Sequence, residues 1–174
     1  MSVESPLFSL RPFGQHNHEA DYELILRFAN AQVPHDPRGN EEWLQRRRAY
    51  NEHCGQRRHY IAVYLPTQEP IAYAALEQQP ADPSSFRIYL VLDPQCWSFE
   101  LVGTFLYQQL LQDATALQAG KLVCIEYATM AAFRAFLERR RFRQVGDGVY
   151  HGFPIVRYEK LLLGAGPEYG QRSN

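Results

Sequence analysis

The stretch that most constrains what this chain can fold into is Phe86–Arg143, where short apolar runs alternate with amphipathic ones. Phe86–Leu92 is rich in β-branched and aromatic residues and stops at Asp93-Pro94, a dipeptide that ends strands and opens turns. A linker containing Cys96-Trp97-Ser98 follows, then an apolar-periodic run from Glu100 towards Gln118 that Gly120 closes. Lys121–Tyr127 is a second compact apolar segment, and a shorter helical pattern runs from Ala128 or Thr129 to Arg140. Strand, helix, strand, helix in that order predicts two parallel strands under a crossover helix, and so an α/β fold. Alternation within the first strand puts Ile88, Leu90 and Leu92 on one face and Arg87, Tyr89 and Val91 on the other.

The flanks supply the rest of the sheet. Leu7–Arg11 reads as a short first strand. Asn17–Asp21 offers caps for a helix over Ala20–Ala31, whose Leu24, Ile25, Phe28 and Ala29 share one face. Pro34 and the Asp36–Asn40 run predict a loop, and Glu41 to Cys54 a second helix anchored by Trp43 and Leu44, with Gly55 at its end. His59–Leu65 and Ile71–Glu77 read as an antiparallel hairpin, and Gln78–Ser85, with Pro80 and Pro83, as a surface connection. After the central unit come a strand at Phe142–Val145, a turn at Gly146-Asp147-Gly148 and a closing strand at Val156–Leu163. The order is β-α-α-β-β-β-α-β-α-β-β. It predicts a mixed sheet with helices on both faces, a three-layer single domain over residues 1–163, and a flexible tail over 164–174.

Composition narrows the chemistry. A chain of 174 residues with 45% apolar content can bury a substantial core. A net charge of -1 gives no general reason to expect nucleic acid, so the arginine runs at Arg46–Arg48 and Arg139–Arg141 need local explanations. Cys54, Cys96 and Cys124 have neither even count nor CxxC spacing, which predicts no disulfide framework or zinc site and suits a reducing, cytoplasmic setting. No signal peptide and no 18-residue apolar run is visible, so no membrane association is expected. His16, His18, His53 and His59 lack a metal-binding scaffold. Cys124 is expected buried and inert, and Cys96 has no positioned histidine to activate it.

Two segments and the element order carry a resemblance. Leu92-Asp93-Pro94 ends the fourth strand in an apolar-x-Pro step, Val102–Leu106 opens the long helix around Gly103, and Ala132–Phe142 reads AFRAFLERRRF. Over Phe8–Leu163 the chain resembles the Gcn5-related N-acetyltransferase (GNAT) superfamily, with its acyl-CoA N-acyltransferase fold. The resemblance implies acetyl-CoA as cosubstrate and acetyl transfer to a primary amine of a small molecule. It places the pantetheine arm against the backbone of Leu90, Val91 and Leu92, and the pyrophosphate near Trp97, Ser98, Val102, Gly103 and Thr104. The chain departs from the family pattern where Trp97, Ser98 and Phe99 replace a glycine-rich loop. Leu137 stands where a tyrosine commonly protonates the departing thiolate, Arg141 where a glycine is usual, and Met130 where an asparagine often lies. The general acid then falls to Tyr127, and the base to Glu77 at the end of the third strand, with Glu126 on the fifth as an alternative.

Val33–Arg58 corresponds to the family's variable cover over the acceptor site. Its Pro-His-Asp-Pro step and Trp43 followed by arginines resemble the degenerate first half of tandem-domain members, which implies pairing with a second copy as a homodimer. The missing glycines and Leu137 keep a second reading open: a catalytically inactive ligand-binding or dimerisation module.

Overall fold

The computed structural model describes residues 5–50 and 55–162; the expected tail and Cys54 lie outside the described residues, and the second helix stops at Arg48, capped by Ala49, rather than running on towards Cys54. The elements are β1 (Phe8–Pro12), α1 (His18–Gln32), α2 (Pro37–Arg48), β2 (Arg57–Tyr64), β3 (Glu69–Gln79), β4 (Asp82–Leu92), α3 (Thr104–Ala116), β5 (Lys121–Tyr127), α4 (Ala131–Arg139), β6 (Arg143–Tyr150) and β7 (Phe153–Leu161). They follow the order read from the sequence. The seven strands form one sheet in the order β1-β2-β3-β4-β5-β7-β6. Every neighbouring pair is antiparallel except β4 and β5.

The predicted alternation along β4 sorts the core into two layers. Ile88, Leu90 and Leu92 join Phe105, Leu106 and Leu110 of α3 and Phe133, Phe136 and Leu137 of α4. Tyr89 and Val91 join Ile25, Phe28 and Ala29 of α1 and Leu44 of α2. Successive strand side chains point to opposite faces, so one apolar strand serves both helix layers.

Local chemistry moves several boundaries. The Asp36–Asn40 run is not a loop: Asp36 caps α2 by accepting the Gly39 amide at 2.9 Å, and Pro37 sits in the first turn, where no N–H is needed. A Cβ on Gly39 would stand 2.1 Å from the Asp36 carboxylate, so a larger residue there would displace the cap. Gln78–Ser85 is not a surface connection either, because β3 runs to Gln79 and β4 begins at Asp82 across a tight turn. The Gly146-Asp147-Gly148 turn is likewise overturned. Those residues pair with Arg157, Val156 and Ile155 inside β6, and the hairpin turns at His151-Gly152. Both turn residues take positive φ (49° and 80°), the geometry that matches the twist of two-residue hairpins.

Candidate active site

The parallel pair barely holds together. β4 and β5 are in register only over Ser85–Lys121, Phe86–Leu122 and Arg87–Val123, and beyond that the strands part. The V between them opens a cavity of about 220 Å³ on the α1–α2 side. β4 contributes Arg87 to Val91, β5 contributes Cys124 to Tyr127, and Gln32, Trp43, Arg46 and Tyr150 close it from above.

Glu126 is the carboxylate in this cavity. It is half-buried, and burial pushes its pKa up to about 7, against smaller opposing effects from the Tyr127 amide and Arg87. A carboxyl group near neutrality in a cleft has the basicity that a proton acceptor needs.

Glu77 occupies a different place. β3 continues past it, so it is not a strand-end charge, and only 2% of it is exposed. Its oxygens lie 3.3 Å from Arg47 Nη1 and 3.1 Å from Arg57 Nη2. Two guanidiniums clamp the carboxylate and hold its oxygens inside the fold. It is not among the residues that line the cleft.

Tyr127 reaches the cleft, but its hydroxyl donates to Asp36 Oδ2 at 2.6 Å. Burial, and then this bond to a carboxylate, push the phenol's pKa up, which weakens it as an acid. The same Asp36 meets His151 Nδ1 at 3.3 Å, and His151 Nε2 meets Glu42 Oε2 at 2.8 Å. This network, with Arg46 donating to the Tyr150 hydroxyl at 2.8 Å, fastens the β6–β7 turn to α2 over the cavity.

The open edge of β4 is already engaged. Gln32 Nε2 donates to the Leu90 carbonyl at 3.3 Å, and the Leu92 amide donates to Gln32 Oε1 at 2.8 Å. One side-chain amide thus pairs with the strand as a neighbouring strand would. Local sequence offers a signal for it: Gln32 continues the buried Ile25, Phe28, Ala29 stripe of α1 as a polar member. Gln32→Ala leaves two buried backbone groups without partners and is expected to lower stability by about 2 kcal/mol in a urea titration.

The helix start beyond β4 is filled rather than cradle-shaped. Asp93 accepts the amides of Gln95, Cys96 and Trp97, and Ser98 accepts those of Leu101 and Val102. Trp97 packs edge-on to Phe8 at 5.9 Å and against Tyr64 at 5.0 Å. Phe99 stacks on Phe133 at 4.6 Å in a π-helical turn over Phe99–Gly103. Val102 is fully buried, and a Cβ on Gly103 would stand 3.2 Å from the Phe136 ring, so that glycine serves helix packing. Thr104 accepts from Arg140, and the Glu100 carboxylate is held by Arg139 and, at 3.8 Å, by Arg140. The Gln32 carboxamide thus occupies the free hydrogen-bonding edge of β4 at Leu90 and Leu92. A diphosphate has no open nest at the helix start and meets a carboxylate there.

The remaining candidates are accounted for by packing. Leu137 is buried in the core, and Arg141 adopts φ 65° at the end of α4, the left-handed conformation for which glycine is favoured. Cys124 is buried, which pushes its thiol pKa up, and the exposed Cys96 is raised by its bond to Asp93. His59 stacks on Phe13 at 4.4 Å, and burial lowers its pKa to about 3. Among the described residues, no group of three or more His, Cys, Asp and Glu is placed to hold a metal, and no helix is long and apolar enough to cross a membrane. Arg48 pairs with Glu19 at 2.9 Å, so the arginine runs are largely taken up by contacts within the fold.

No protein-family model matches the chain, and no curated protein matches it by sequence. Solved structures do match. An acetyltransferase from Streptococcus agalactiae superposes with a TM-score of 0.71 at 13% identity, covering 91% of this chain and 100% of its own. RimL, a ribosomal L7/L12 alpha-N-protein acetyltransferase in complex with coenzyme A, gives 0.67 at 14%, covering 93% and 98%. A chimera of the spermidine N-acetyltransferase SpeG from Vibrio cholerae and hSSAT gives 0.64 at 14%, covering 89% and 95%. The chain has the GNAT fold. The β4–β5 cleft is therefore the parted parallel pair of a GNAT sheet, with α1 and α2 as its cover.

Proposed function

We propose that this GNAT-fold chain transfers an acetyl group from acetyl-CoA to a primary amine of a small molecule. Acetyl-CoA supplies the activated acyl group. The observation that carries the reading is Glu126, a half-buried carboxyl with a pKa raised to about 7 inside the cleft. Its carboxylate accepts a proton from the incoming ammonium, leaving the amine's lone pair free to attack. The backbone of Leu90, Val91 and Leu92 aligns the acyl-bearing arm once Gln32 gives up its two bonds. Tyr127 then holds the wall of the site through Asp36, and a water takes the acid role first assigned to it. Trp97, Ser98, Gly103 and Thr104 shape the helix start near the nucleotide end of the ligand.

Calorimetric titration with acetyl-CoA tests the first requirement, and an amine panel the second. Glu126→Gln is expected to lower turnover by about 100-fold. In the parent protein, kcat/KM should rise with pH through about 7, because only the ionised carboxylate accepts a proton, and Glu126→Gln should lose that limb. The filled helix start and the Gln32 bonds favour a second reading, a non-catalytic ligand-binding module. Absence of heat with millimolar acetyl-CoA selects that one.

A further inference from the structure

Around Tyr89 the fold gathers more positive charge than it balances. Glu77 is shared by Arg47 and Arg57, whose side chains are only 12% and 10% exposed. Arg87 stands opposite Glu77 in the β3–β4 register and adds a third guanidinium. Arg47 and Arg87 lie over the Tyr89 ring at 4.7 and 4.8 Å, and Arg47 also donates to the Tyr89 hydroxyl. Arg47 and Arg57 each have a carboxylate partner. Arg87 has no ion pair among the described residues, and its Nε is buried without a hydrogen-bond partner. The Nε atoms of Arg47 and Arg57 are in the same state, but those residues have Glu77; a buried donor left so is costly unless a ligand completes it.

Arg87 also lines the cleft. Across the V, on β5, lies Glu126, close enough for the Arg87 charge to act on its carboxyl although the two form no ion pair. The remaining walls include Trp43, Tyr89 and Tyr150. The cavity therefore offers the Arg87 guanidinium, one carboxylate and an aromatic surround, with Arg46 at its rim bonded to the Tyr150 hydroxyl.

We propose that Arg87 binds a carboxylate carried by the amine acceptor, so that the cleft selects amino acids with an apolar or aromatic side chain over simple amines. The inference rests on the acceptor reading of this cleft and names the substrate class. The Nε–Nη edge of a guanidinium matches the two oxygens of a carboxylate. A singly charged carboxylate also suits one open guanidinium beside Glu126 better than a phosphate dianion does, because like charges in a small cavity repel. The substrate ammonium then faces Glu126 while its carboxylate satisfies Arg87.

The test is calorimetry on the whole chain without acetyl-CoA, using L-phenylalanine, phenethylamine (the same skeleton without the carboxylate) and 3-phenylpropanoate (without the amine). L-Phenylalanine is expected to bind at least about tenfold more tightly than phenethylamine, the scale of one charge-assisted bidentate contact. Arg87→Gln should remove that difference, weakening L-phenylalanine far more than phenethylamine. Arg87→Lys, which keeps the charge without the fork, should retain part of it, and it serves if the Gln variant fails to fold. Equal affinity for the two amines, an indifferent Arg87 variant, or no heat with millimolar L-phenylalanine overturns the proposal. Loss of acetyl-CoA binding with L-phenylalanine discrimination intact would instead remove the transferase reading and leave the carboxylate site standing. Turnover of phenethylamine without preference for L-phenylalanine would do the reverse.

Discussion

Glu77→Gln is expected to destabilise the fold by about 3–5 kcal/mol, the scale found when one partner of a buried ion pair is removed. The loss comes less from the missing attraction than from what stays behind. Arg47 and Arg57 are nearly buried, each has an Nε without a partner, and Arg87 is already unpaired beside them. Glutamine matches glutamate in shape but leaves two guanidiniums with no counter-charge. Arg57 keeps its bond to the Arg47 carbonyl at 3.2 Å, so the arginines cannot simply swing into water without releasing α2 from β2. Urea unfolding at neutral pH measures the effect, and turnover per folded molecule in the proposed acetyl transfer should be near that of the parent. A small stability loss with a large loss of turnover would return Glu77 to the role of proton acceptor.

Asp36→Ala should cost about 2–4 kcal/mol, combining a lost N-cap with a buried Tyr127 hydroxyl left without an acceptor. Asp36 is 4% exposed and serves Gly39, Tyr127 and His151 together, so one truncation loosens α2, β5 and the β6–β7 turn. Burial alone would raise its carboxyl pKa, but the donors from Tyr127, Gly39 and His151 outweigh burial and hold it below the ordinary range. The sign of the pH dependence follows. The ionised carboxylate stabilises the fold above the unfolded-state value of about 4, and that contribution is lost as pH falls through the lower folded-state value. The difference between parent and Asp36→Ala should therefore be full at neutral pH and shrink in acid. A difference that stayed constant from neutral pH into strong acid would mean that the charge on Asp36 does not matter.

The fold was legible because its main signal is periodic. Ile88, Leu90 and Leu92 against Tyr89 and Val91 encode two helix layers, and Asp93-Pro94 ends the strand where β4 ends. At three places glycine and proline look like breaks in the sequence and are not. Pro37 and Gly39 begin a helix because Asp36 caps it, and Gly146 and Gly148 lie in a strand because its partner β7 holds them in register. Pro83 is tolerated in β4 because the ladder is irregular there, and its carbonyl accepts from Gln78 at 2.8 Å.

The candidate site was legible only in part. Glu126 and Tyr127 were named as residues of the fifth strand, and both reach the cleft. For Glu77 the sequence suggests only a strand-end charge, since nothing near it in sequence announces that Arg47 and Arg57 converge on it. Gln32, Asp36, Arg87 and His151 carry much of the site's polar structure; only Asp36 lies in a quoted motif, the Pro-His-Asp-Pro step, and that motif says nothing of its partners.

The sequence by itself determined which segments are strands and helices, the single parallel crossover at the centre, and which face of each strand is apolar. Those properties depend on spacing along the chain, because burial repeats with the period of the local backbone. Only the tertiary structure decided where β4 leaves β5, that Gln32 reaches a strand 58 residues away, and which of the carboxylates is clamped and which faces the cleft. Such pairings are set by which side chains two distant elements bring opposite each other. A polar group's chemistry then follows from its burial and its partners, and neither is a property of the residue alone.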